Sequence, residues 1–131
     1  RLKKCCHRMK TVINTMRKKR IDRIEGSLLA EFLSADMDFH LTIMKIAGNR
    51  TALKLITDAY MRNRIFGRLC RHRDLDHARH TLEVHSRIVE AVADHHPETA
   101  YKFLYEHIEL SMQEALEVLD EQYYDEHPDM E

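Results

Sequence analysis

Apolar residues recur every three or four positions along most of the chain, which is the spacing of one face of an α-helix. In the first 23 residues this stripe runs between lysines and arginines, so the segment is predicted to be an amphipathic helix rather than a disordered basic tail. The apolar residues of this stripe are Leu2, Cys5, Cys6, Met9, Val12, Ile13 and Met16. No segment alternates between apolar and polar residues as a half-buried strand does, so no strand is predicted.

The same periodicity predicts four further helices, over residues 28–47, 50–70, 78–93 and 97–122. Ser27 is predicted to cap the first of them, Gly48 to end it and Asn49 to cap the next. The polar segment 72–77 is expected to be a loop. Pro97 stands at the start of the last helix, where the first turn tolerates proline.

Length and composition agree with a helical domain. A chain of 131 residues is long enough to bury one core, so residues 1–131 are predicted to form a single all-α antiparallel bundle of about five to six helices. Only 3 glycines and 2 prolines are present, too few for a β-sandwich or for a nucleotide fold built on glycine turns. The 21 basic and 22 acidic residues nearly balance, which argues against a strongly basic nucleic-acid binder.

Several features predict a cytoplasmic protein with no membrane partner. No apolar run approaches the ~20 residues that a bilayer crossing needs, and no secretory signal is present. The cysteines at positions 5, 6 and 70 form no C-x-x-C pair, as is typical of a reducing compartment. Because the chain begins with Arg1 rather than methionine, a fragment or a processed product is expected.

Four ionisable residues fall on the core-facing stripes of three predicted helices. Asp36 and His40 are four residues apart and therefore share a helix face, and His85 and His107 lie among apolar residues of later helices. Buried polar groups need partners. Three imidazoles and one carboxylate suit a divalent ion, zinc first and nickel or another transition metal next, with affinity falling below pH ~6.5. The alternative is a core in which each imidazole bonds to a backbone carbonyl or to buried water.

Four segments of the chain carry a distinctive order of residues. They are ADMDFH (35–40), IMKIAGN (43–49), VHSRIVEAV (84–92) and ETAYKFLYEHI (98–108). Together they resemble the FCD domain, the effector-binding domain of GntR-family bacterial transcription regulators. The resemblance extends over nearly all of residues 20–118. It implies an FCD-like bundle that lacks its usual first helix and the N-terminal winged helix-turn-helix that binds DNA.

In the metal-binding branch of that family, the ligand positions correspond to Asp36, His40, His85 and His107. The resemblance also implies a sensor and not an enzyme. A small organic acid enters the bundle, coordinates the ion through a carboxylate and changes the DNA affinity of the attached domains in a homodimer. DNA would be contacted only through the missing N-terminal domain. Arg62 and Asn63, on the predicted third helix, are candidate contacts to the acid.

Two other functions stay open on the sequence. A small metal-dependent enzyme would need a general acid or base close to the ion. Asp38 and Glu106 neighbour predicted ligands along the chain, but helix geometry turns them about 100° from the ligand face. A structural oligomerisation module would keep the same core residues in a hydrogen-bonded network and bind no metal.

Overall fold

Helices dominate the computed structural model of the protein. It describes the backbone of residues 1–66 and 73–126, and the side chains of residues 1–59, 73–114 and 116. Within these residues the elements are α1 Leu2–Lys19, β1 Arg23–Ile24, α2 Gly26–Ile46, α3 Arg50–Phe66, β2 Arg73–Asp74, α4 Leu75–Ala93 and α5 Pro97–Glu126. The predicted all-α fold class is confirmed. None of the described helices combines the length and the apolar run that a bilayer crossing requires.

One short strand pair contradicts the prediction that no strand would form. β1 and β2 are antiparallel, with Ile24 opposite Arg73, and the Leu75 N–H donates to the Asp22 carbonyl at 2.8 Å. Two residues per strand are too few to produce the alternation on which strand prediction depends. Ile24 is fully buried in the core, which fixes the connection between α1 and α2 against the start of α4.

The start of α4 is also earlier than predicted. Asp74 is its N-cap, and the Asp74 carboxylate accepts a hydrogen bond from the backbone N–H of His77 at 2.6 Å. An aspartate in this position satisfies a backbone donor that the helix itself cannot. The expected loop over residues 72–77 is therefore wrong from residue 73 onward, and residue 72 lies outside the described residues.

The predicted boundary between the second and third helices is confirmed, whereas the predicted cap of the second helix is wrong. Gly48 follows the end of α2, and the Asn49 side chain accepts a hydrogen bond from the Ala52 N–H at 2.9 Å. Ser27, in contrast, lies inside α2. The N-cap of this helix is Glu25, which makes no side-chain capping bond.

The core lies mainly between α1, α2 and α4. Six of the seven apolar residues predicted on the α1 stripe are buried, and the seventh, Cys6, is half-buried. The larger core cluster contains Met9, Val12, Ile13, Met16, Ile24, Leu29, Phe32, Ala35 and Ala78. The smaller cluster contains Leu2, Cys5, Phe39, Ile88 and Val89. This smaller cluster supports the predicted site, because Phe39 packs directly against one of its histidines.

The most buried face of α2 is rotated by about one residue from the face that carries Asp36 and His40, which was predicted to face the core. Its buried residues are Leu29, Phe32, Ala35 and Phe39. Asp36 and His40 each follow one of these in the sequence and are half-buried. Successive helical residues are 100° apart, so the polar pair lies at the edge of the core rather than in its centre. That edge is where a cavity opens.

Three of the described helices are followed by a residue with positive φ, but only one of these residues is glycine. Arg20, Gly48 and His95 have φ values of 53°, 67° and 57°. The next residue in each case donates its N–H back to the helix, as in the bond from Ile21 to the Met16 carbonyl at 2.9 Å. This is the Schellman arrangement, which favours glycine because a Cβ is strained at positive φ.

We expect Arg20→Gly to raise the free energy of unfolding by about 0.5–1 kcal/mol, since it removes that strain at a small cost in chain entropy. Gly48→Ala is the reverse change at an equivalent helix end, because it adds a Cβ at positive φ. A Cβ built on Gly48 meets no atom within 4 Å, so its cost is conformational alone, and stability should fall by about 1 kcal/mol. Urea denaturation measures both changes, and a stability change of the same sign in the two variants would refute this explanation.

Candidate metal centre

The four residues predicted to form a site lie together. One ligand atom from each of Asp36, His40, His85 and His107 lies within 4.8 Å of all the others. The Nε2 atom of His107 is 3.0 Å from that of His85 and 3.4 Å from that of His40. The Asp36 Oδ1 atom is 3.6 Å from His85 Nε2 and 3.8 Å from His40 Nε2.

Three helices bring these side chains together. α2 supplies Asp36 and His40 from successive turns, because residues four apart lie on one face. α4 supplies His85 from its buried face, and α5 packs on α4 and supplies His107. Helix packing therefore sets the distances between residues that are up to 71 positions apart in the sequence.

The spacing of the donor atoms fits a metal ion. Nitrogen ligands about 2.0–2.1 Å from a tetrahedral zinc ion are about 3.3 Å from one another, close to the Nε2 separations of 3.0 and 3.4 Å. Hydrogen bonds explain the same geometry less well. His107 Nε2 faces two imidazole nitrogens, yet a neutral imidazole nitrogen carries either one proton or one lone pair. The donor set thus suits a divalent ion better than a network of imidazoles.

A cavity of about 280 Å³ adjoins the cluster. Its walls include three of the four cluster residues, Asp36, His40 and His107. Its apolar and hydroxyl-bearing lining comprises Phe32, Leu33, Met37, Ile56, Thr81, Ile108 and Ser111. The lining is completed by Arg73 and His77. A small molecule in this cavity would face the cluster from one side.

Comparison with known proteins identifies the family. The family model described as FCD domain matches residues 2–110. The chain belongs to the FCD domain family. This family indicates an effector-binding domain of a GntR-type regulator, with a DNA-binding partner domain. Comparison with curated proteins and with solved structures gives no match.

Burial keeps the histidines of this FCD domain in the neutral form that a metal ion needs. Burial lowers the pKa of His85 to about 2 and the pKa values of His40 and His107 to about 4. Neighbouring imidazoles lower the pKa of His85 further. Burial also raises the pKa of Asp36, although His107 and Arg73 act in the opposite direction. At neutral pH the three imidazoles therefore carry free lone pairs.

Stacking, rather than a hydrogen bond to Nδ1, orients the ring of His85. It is completely buried, and its ring lies parallel to that of Phe39 with 3.9 Å between the ring centroids. Its Nδ1 atom is buried without a hydrogen-bond partner among the described residues. The aromatic neighbour thus directs Nε2 toward the cluster, a role that a hydrogen bond to Nδ1 often has at metal sites.

Two residues of the FCD cavity, Arg73 and His77, were missed by sequence reasoning. Both fall in the segment predicted as an exposed loop. An Arg73 Nη1 N–H donates to His77 Nε2, and the His77 Nδ1 atom faces Glu114 Oε1 at 3.5 Å. Burial and the Arg73 charge lower the pKa of His77. The only sequence signal was a basic residue directly before the Asp74 cap.

The two residues predicted to contact an effector cannot be placed in the cavity. Arg62 and Asn63 belong to α3, but their side chains lie outside the described residues. Their role as ligand contacts stays a prediction. Ile56, about two turns earlier on the same helix, does line the cavity, so α3 contributes to its wall.

Proposed function

We propose that this FCD domain senses a small organic acid through one divalent metal ion held by Asp36, His40, His85 and His107. The convergence of four donor atoms within 4.8 Å carries the proposal. Three imidazole nitrogens and one carboxylate oxygen favour zinc, with nickel or another transition metal as the alternative. FCD domains are often metal-binding, which agrees with this assignment.

When bound, the ion supplies a Lewis-acidic position for a carboxylate oxygen of the effector. The protein's own side chains control access to this position and exclude water from it. The half-buried Asp36 and His40 leave the cluster accessible from the cavity, while His85 closes it on the core side. Apolar side chains such as Leu33 and Ile108 line the remaining walls and exclude water from the carbon chain of the acid.

Sensing requires that the effector favour one arrangement of the helices over another. The proposed ligands belong to α2, α4 and α5, so an acid bound among them contacts all three helices. We assign the response to a homodimer in which DNA is bound by a winged helix-turn-helix domain of the full regulator. Tyr101, Tyr105 and Met112 form an exposed stripe on α5 that suits contact with a second copy.

The enzymatic alternative has little support from the acids next to the cluster. Asp38 pairs with Arg8 of α1 at 2.5 Å, and Glu106 pairs with Lys102 on its own helix at 3.9 Å. Neither residue lines the cavity. FCD domains also belong to regulators and are not typically enzymes. A sensing role therefore fits this site better than catalysis.

Zinc is expected to raise the melting temperature of the chain, and acetate or butyrate is expected to raise it further only when zinc is present. Ligand concentrations of 100 Kd correspond to about 2.7 kcal/mol of stabilisation. Differential scanning fluorimetry with zinc, with a chelator, and with each acid measures this. A melting temperature that no divalent transition metal changes would contradict the metal site. Stabilisation by zinc with no effect of any carboxylate would indicate a structural ion and contradict the sensing role.

A further inference from the structure

Arg73 places a positive charge in the wall of the cavity beside the four-residue cluster. Among the described residues, no carboxylate oxygen lies within 4.0 Å of its guanidinium nitrogens. The Arg73 Nε atom is buried and has no hydrogen-bond partner within that part of the chain. A guanidinium group stays charged in proteins, and a buried charge without a counter-ion is costly. The cavity wall therefore offers a donor and a charge suited to an anion.

The surroundings of Arg73 orient the guanidinium without neutralising it. Its backbone pairs with Ile24, which is fully buried, so the strand pair fixes where the side chain begins. Its Nη1 atom donates to His77 Nε2, which must be unprotonated to accept. His77 then carries its proton on Nδ1, facing Glu114. A neutral imidazole thus orients the Arg73 guanidinium, and the charge of the guanidinium stays available to an anion.

With a divalent ion bound, the positive charges that line the cavity would balance those of a dianion. A divalent ion with the Asp36 carboxylate and three neutral imidazoles has a net charge of +1, and Arg73 adds another. Arg73 and Asp36 are the only charged side chains in the described lining. Arg73 does not touch the Asp36 carboxylate, yet it is near enough to lower the Asp36 pKa. The four-residue cluster and Arg73 are therefore separate positions in the lining of one cavity.

We propose that the effector is a short dicarboxylate, with one carboxylate at the metal ion and the other on the Arg73 guanidinium. The inference rests on the proposed metal site. A cavity of about 280 Å³ lies at the lower end of the range for small-molecule sites and therefore suits a compact acid. The planar group of N–H donors on a guanidinium matches the two oxygens of a carboxylate. Leu33, Met37 and Ile108 line the space that the methylene groups would occupy.

Succinate and butyrate are the matched probes, because both have four carbons and only succinate has a second carboxylate. In the zinc-loaded protein, isothermal titration calorimetry is expected to show succinate binding at least about tenfold more tightly than butyrate. Arg73→Gln should remove this preference and leave both butyrate affinity and zinc affinity within about threefold of the original. Succinate should also shift the imidazole NMR signals of His77 in the original protein but not in the variant.

Arg79→Gln is the control, since Arg79 is exposed on α4, pairs with Asp76 and does not line this cavity. It should keep the preference for succinate. Equal affinities for succinate and butyrate in the original protein, or a preference that survives Arg73→Gln, would overturn the assignment of Arg73 while leaving the metal site intact. Failure of the original protein to bind zinc would overturn both proposals. Loss of zinc binding in Arg73→Gln alone would assign Arg73 to the metal site instead.

Discussion

Replacing His85 with alanine is expected to lower the affinity of the domain for zinc by at least about 100-fold. His85 is the most deeply buried of the four proposed ligands, with no exposed surface, and Phe39 fixes its ring. No other described histidine can move into its place through a packed core. Loss of residues that merely orient ligands already costs 10–100-fold in metal affinity, so loss of a ligand should cost at least as much.

Competition with a chromophoric zinc chelator at pH 7.5 measures this affinity. His80→Ala is the control, because His80 is on the same helix but exposed, and its zinc affinity should stay within about threefold of the original. Circular dichroism tests whether each variant folds. The zinc-free His85→Ala domain should fold, since the cavity it creates is offset by removal of an unpaired Nδ1 atom.

Phe39→Leu tests whether the orientation of the His85 ring, and not only its presence, determines zinc affinity. This change removes the stacked ring but keeps the imidazole, so zinc affinity should fall by about 10-fold or more. Leu29→Ala is the control, because Leu29 is buried on the same helix, belongs to the other core cluster and does not line the cavity. It should reduce stability similarly and leave zinc affinity unchanged. Zinc binding that survives His85→Ala would show that the ligand set is wrong.

Much of the architecture was predictable because helical periodicity is a local signal. The stripe of Leu2, Met9 and Met16 on α1 is visible in the sequence, and these residues are buried in the structure. Asp36, His40, His85 and His107 were identifiable for the same reason, since an ionisable residue on an apolar stripe stands out. That they converge on one point depends on how three helices pack, and the resemblance to the FCD family provided this information.

The rest of the site depends on contacts between distant segments. Arg73 reaches the cavity because β2 pairs with β1, a contact across 49 positions that leaves no periodic signal in two residues. The rotation of α2 has a similar cause. Two apolar stripes, one through Phe32 and Phe39 and one through Leu33 and Ile43, compete for the core, and the aromatic stripe has more surface to bury.

The zinc-free domain is expected to lose stability as the pH falls from about 6.5 toward 4. An imidazole in the unfolded chain has a pKa of about 6.5, whereas burial holds the pKa values of His40 and His107 at about 4 and that of His85 at about 2. In this window the unfolded chain binds more protons than the folded domain. The free energy of unfolding therefore falls with decreasing pH, by up to about 1.4 kcal/mol per pH unit for each imidazole.

Two further groups near the cluster modify this slope. The lowered pKa of His77 acts in the same direction as those of the three cluster histidines. The raised pKa of Asp36 acts in the opposite direction, because the folded domain takes up that proton first. Four imidazoles thus lower the free energy of unfolding in acid and one carboxyl group raises it, so the net effect is destabilisation. Well above pH 6.5, from about pH 7.5 onward, these imidazoles are neutral in both states, and their contribution to stability is constant.

The same pKa values change the expected pH dependence of zinc binding. Unperturbed imidazoles predict a loss of affinity below pH ~6.5, but in the folded domain the three histidines stay neutral until about pH 4. The imidazoles should therefore contribute little to any change in zinc affinity between pH 7.5 and 5.5, so a loss of affinity in this range would come from protonation of Asp36, whose pKa burial raises. The stability of the zinc-free domain already declines over the same range. Urea denaturation with a chelator at several pH values, beside zinc titrations at the same values, tests both statements. His85→Leu should reduce the slope of the free energy of unfolding against pH by about one proton. A zinc-free domain that becomes more stable as the pH falls below 6.5 would mean that the folded cluster binds protons more tightly than the unfolded chain, contrary to the burial of these imidazoles.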